Sequence, residues 1–229
     1  MNEIQLPAVP WYRRDVLGSL RAAAETIKVC IISPKSNFQI SGFAKVGRQF
    51  FWTTFTTYAI LPLLIMHVIC VLGKALYPSA FDLMDFNLAT NIQVLPLHYL
   101  FAFAVVWLLG QLVYVSLRIV GATNSNNKNA IIELTWYIGT SVLCFLYWLL
   151  VVGFFFTVFS LLDHSISNAI DKYSPFLIAI VMLLLLRSLI SSIHVNLTSS
   201  ILKVTIGVLL GSSFLLAIPI FMIVWSFGN

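Results

Sequence analysis

The chain has 229 residues, of which 60% are hydrophobic and only 9% charged, where a soluble domain carries roughly 45–50% and 25%. Its mean hydropathy is +0.96. That composition cannot coat a water-facing surface, so it excludes an ordinary soluble enzyme and makes lipid the solvent for most of the chain. The net charge of +5 then bears on orientation and on anionic lipid rather than on nucleic acid.

Residues 1–49 form a lead-in. From Trp11, the residues Val16, Leu20, Ala23, Ile27 and Cys30 recur at helical spacing, while Arg13, Arg14, Arg21, Glu25 and Lys28 fall largely off that stripe. This predicts an amphipathic helix, either lying on the cytoplasmic leaflet or packed on the ends of a bundle. Ser33-Pro34 ends it.

A spanning helix needs about 20 mostly apolar residues. Residues 50–229 offer five such stretches: about 51–73, with Pro62 as a kink; 95–120; 134–162; 175–193, opening at Pro175; and 201–227, with Gly207 and Gly211 four apart. The expected fold is therefore all-α, a polytopic membrane protein of five transmembrane helices behind an N-terminal amphipathic cytoplasmic helix. Eleven of the 13 Lys and Arg residues fall in segments on the side of the N-terminus, and only Lys74 and Lys172 on the other. By the positive-inside rule the N-terminus is cytoplasmic and the C-terminus outside. Asn196-Leu197-Thr198 then sits in a cytoplasmic loop, and its match to a glycosylation pattern is chance.

Few residues promise chemistry. Cys30, Cys70 and Cys144 are far apart in apolar runs and read as small buried side chains. His67 and Ser141 are the polar candidates for the interior, but no accompanying motif makes them a nucleophile and base. A permease would draw Thr53, Thr54, Thr56, Thr57 and Gln111 into one cavity with them. Asp82, Asp85 and the trio Asp163, His164 and Asp171 read as solvated outer loops without metal-ligand spacing. No catalytic, cofactor or metal site is expected. Arg187, after four leucines, reads either as a snorkelling membrane anchor or as a buried charge paired with Glu133.

The basic lead-in with Pro34 and Phe38, the five spans, and the stretch SPFLIAIVMLLLLRSLISSIHVNLTSSILKVTIGVLLGSSF resemble the Yip1 domain family. The DLYGP and Gly-Tyr-Gly motifs of eukaryotic members are absent, so the likeness is to the smaller bacterial-type members. The resemblance implies a non-enzymatic membrane scaffold or adaptor in membrane organisation or trafficking. The expected partners are other proteins or further copies of the chain, and, from the basic charge of the lead-in, anionic lipid of the cytoplasmic leaflet. The alternative is a small permease or channel, or an accessory subunit of a transport complex. A bacterial cytoplasmic membrane is favoured over an ER or Golgi membrane.

Overall fold

The computed structural model describes residues 9–32, 43–76, 88–160, 164–197 and 199–228, and these are helical apart from short connections. A 3-10 turn, Pro10–Arg13, leads into α1 (Arg14–Leu17) and α2 (Ser19–Ile32). Gly18 separates α1 from α2 with φ +79°, in the left-handed region that favours glycine. The expected single stripe therefore breaks: Ala23 and Cys30 are buried, whereas Val16 and Leu20 are exposed.

The first long segment is α3 (Ala44–Phe55), a π-helical turn (Thr56–Ile60) and α4 (Leu61–Leu76). Pro62 has no N–H to offer the carbonyl four residues back, and the wide turn immediately before it absorbs that mismatch. Then come α5 (Leu88–Ile119), α6 (Lys128–Ser160), α7 (His164–Leu197) and α8 (Ile201–Gly228). Pro175 does not open the fourth long helix as expected, because α7 runs through it from His164. Among the described residues four helices are long and apolar enough to cross a membrane, within Ala44–Ala75, Leu95–Ile119, Ser125–Leu149 and Phe176–Leu197; the described apolar part of α8, Ile201–Leu215, is shorter. The chain thus has the make-up of a multi-pass membrane protein.

Helices α5, α6, α7 and α8 pack in a ring, each on the next, and α3 docks on the outside of α6. In α6 72% of the apolar window is buried, against 33–44% in the other three, so α6 is the central post. Two close crossings set the ring and its appendage. A Cβ on Gly211 would lie 2.5 Å from Val113 Cα, and one on Gly207 3.0 Å from Leu117 Cα, which makes α8 and α5 antiparallel neighbours at backbone contact. A Cβ on Gly47 would meet Trp136 Cβ at 2.8 Å, bringing α3 alongside α6. Small residues permit such approaches in lipid, where apolar burial alone gives helices little reason to associate.

The connections on the side of the N-terminus are tied down. Gly121, at φ +66°, ends α5 in a Schellman arrangement, with Ala122 N–H donating to Leu117 O at 2.9 Å. The Ser199 hydroxyl donates to Ala122 O, and His194 Nδ1 donates to Ser199 O at 2.7 Å. The loop between α7 and α8 is thereby fastened to the one between α5 and α6.

Candidate functional site

Glu133 stands one turn into α6 and is fully buried. Among the described residues its carboxyl accepts from the lead-in, from the mouth of α3 and from α6 itself. Phe43 N–H, at the mouth of α3, donates to Oε2 at 2.9 Å. The Tyr12 hydroxyl, from the lead-in, donates to Oε1, and so does the Tyr137 hydroxyl, one turn further along α6, at 3.3 Å. Around this node the rings interlock: Trp11 meets Phe50 edge-on at 5.3 Å, and Phe50 lies 5.0 Å from Tyr137. Val9 and Trp11 are buried in the same core as Leu134 and Ile138. The lead-in is thus part of the bundle's packing.

Helix α2 continues that engagement further along α6. Its buried face consists of Ala22, Ala23, Thr26 and Cys30, small side chains that allow a close fit. Ser188, on α7, donates to Cys30 O at 2.7 Å, and Tyr58, in the π-helical turn, donates to Leu20 O at 2.9 Å. Burial pushes the Cys30 thiol up to about 12, with a Ser141 hydrogen bond pulling the other way. Between α2, the π-helical turn and α6 lies a cleft of about 160 Å³, lined by Ala24, Ile27, Tyr58, Cys144, Phe145 and Trp148.

Of the two readings of Arg187, as a snorkelling anchor or as a buried charge paired with Glu133, no ion pair between the two side chains is found among the described residues. Arg187 is exposed on α7, while Glu133 is buried among the groups just named. His67 Nδ1 donates to Leu63 O at 2.7 Å, one turn back in its own helix. Ser141 is buried and donates to Tyr137 O at 2.7 Å. These two do not meet: α4 reaches α6 where Met66 and Cys70 pack on Val151, which at 1.5 Å per residue is roughly 15 Å past Ser141.

The threonines are dispersed as well. Thr54 is buried, Thr56 is exposed and donates to Trp52 O at 2.6 Å, and Thr57 donates to Thr53 O at 2.9 Å. Gln111 is half-buried on α5. Among the described residues no group of three His, Cys, Asp or Glu side chains could hold a metal ion. Asp82, Asp85 and Asp163 lie outside the described residues, as do the side chains of His164 and Asp171.

Neither Tyr12 nor Tyr137 was read from the sequence as a partner of Glu133. Tyr137 carried a signal, standing four residues after Glu133 in a helix. Tyr12 carried none. Comparison of the chain with family models, curated proteins and solved structures gave no match.

Proposed function

We propose that the chain is a non-enzymatic integral membrane scaffold of the Yip1 type, crossing the bilayer five times. In this reading α8 is the fifth span, the N-terminus is cytoplasmic, the C-terminus is outside, and the membrane is the bacterial cytoplasmic one. One observation carries the proposal. The buried acid, where an enzyme or transporter would place its chemistry, receives hydrogen bonds from the lead-in, from the mouth of α3 and from α6. A carboxyl bonded in that way holds chain segments together. His67 and Ser141 likewise bond backbone carbonyls of their own helices.

The working face is then cytoplasmic. Arg13, Lys45, Arg48, Arg118, Lys128 and Lys203 are exposed, and by charge they belong on that side. They would meet anionic lipid and the acidic surface of a protein partner. Affinity purification of the full chain from native-like membranes tests this: specific proteins or a second copy should co-purify, and reversing Lys45 and Arg48 to Glu should release them. A purified chain that moves a solute across vesicles, and stops doing so on Glu133→Gln, would replace this reading with transport.

A further inference from the structure

The end of α5 gathers cations from three helices, and we propose that they hold the headgroup of one anionic phospholipid of the cytoplasmic leaflet. The site rests on the proposed bilayer placement and names where on the basic face that lipid is held. Arg118 stands in the last turn of α5. Lys128, the first residue of α6, places its ammonium 5.7 Å from the centre of the Tyr114 ring. Tyr114 lies four residues before Arg118, so the two share one side of α5 and the ammonium comes within about a turn of Arg118. From α8, Lys203 Nζ reaches to 4.0 Å from where a Cβ on Gly121 would stand, and Gly121 N–H donates to Arg118 O at 3.1 Å. Arg118, Lys128 and Lys203 are all exposed.

Helix electrostatics accounts for only part of this gathering. The negative end of the α5 dipole suits Arg118 and Lys203, but Lys128 sits at the positive end of α6. The Tyr114 ring orients that ammonium without neutralising it. Among the described residues Arg21 pairs with Glu25, whereas none of these three cations meets a carboxylate. Depth names the anion that fits. The three stand at helix ends, at the level of the lipid phosphates, rather than within the spans. Towards the bilayer interior the same helices turn apolar: Val115, three residues before Arg118, is 47% exposed, and Ile206, three after Lys203, 42%. A ligand with an anionic head and a hydrocarbon tail meets both surfaces, and basic clusters between helices on the cytoplasmic side suit such headgroups.

The test is native mass spectrometry of the full chain in detergent, offered phosphatidylglycerol and phosphatidylcholine with identical acyl chains. One phosphatidylglycerol should be retained several-fold over phosphatidylcholine. Arg118→Gln combined with Lys128→Gln should remove that preference, and Lys203→Gln alone should weaken it. Arg21→Gln combined with Lys28→Gln takes the same charge from α2 and should leave the preference intact. All of these substitutions alter exposed side chains, so the comparison does not depend on a buried change being tolerated. Inorganic phosphate at the same concentration should not displace the lipid, whose tail stays on Val115 and Ile206; displacement would overturn a lipid as the ligand. Equal retention of both lipids, or a preference lost equally in the α2 variant, overturns the site and leaves the cations to an acidic protein partner. A chain that cannot be reconstituted into vesicles overturns the bilayer placement and the site together.

Discussion

Glu133 concentrates the energetics of the lead-in on one side chain. A hydrogen bond to a charged group is worth about 1.5–3 kcal/mol, and stranding buried donors costs comparably. Glu133→Ala should therefore lower the unfolding free energy in detergent by about 2–4 kcal/mol and open residues 9–32 to limited proteolysis. Tyr12→Phe should do less, and the double variant should be non-additive, because the two residues share a bond. Glu133→Ala combined with Arg187→Ala should instead be additive, since one is buried in the node and the other exposed on α7. The sequence offered Glu133 as a partner for Arg187 only as the alternative to a membrane anchor, because Glu133 is the acid outside the lead-in that falls near its level. Rarity locates a buried acid but does not name its partners, and among the described residues these include two phenols and a backbone N–H. Of the two phenols, only Tyr137 could be placed beside Glu133 by its spacing in the helix.

The helices were readable from apolar length, and their crossings in part from small residues. Gly207 and Gly211, four apart, suggested a close face, and the face is used within the bundle against Leu117 and Val113. Gly47 gave no such warning, since a lone glycine in a mixed segment has no repeat around it. Gly211→Ala should destabilise the bundle by about 1–3 kcal/mol, because its Cβ would run into Val113 backbone. Gly110→Ala is the matched control: its nearest neighbour would be Thr135 Cβ at 3.6 Å, an ordinary contact, so thermal unfolding in detergent should barely move. Helix ends were less readable. α7 begins well before Pro175, which a local rule about proline at helix starts could not foresee. The lead-in stripe failed at Gly18, where a single left-handed residue redirects the chain.

For the molecule as a whole, composition decided the solvent and the all-helical class, while the arrangement of helices around α6 came only from packing. Orientation has a direct measurement. Cys30, Cys70 and Cys144 are free thiols and all buried. Cys30, raised to about 12, stays protonated as pH rises from 7 to 9 and gains no thiolate there. The unaltered chain should therefore resist an impermeant maleimide throughout that range until it is denatured. Against that silent background, Asn126→Cys, in the exposed turn between α5 and α6, should label only when the reagent reaches the cytoplasmic face. Labelling from the outside would reverse the proposed topology.

The bond between Tyr12 and Glu133 also imposes an order of events on biosynthesis. Its ends are 121 residues apart, so the lead-in leaves the ribosome long before its acceptor exists. At about 5–20 residues per second the interval is roughly 6–24 s, during which two further long helices must enter the membrane. Throughout that interval Trp11, later sealed against Phe50, and the small face of α2 have no α6 to rest on. The lead-in is thus made well before the acceptor that locks it, and a nascent chain halted before residue 133 should present it unlatched to whatever else binds basic, aromatic helices at the membrane surface.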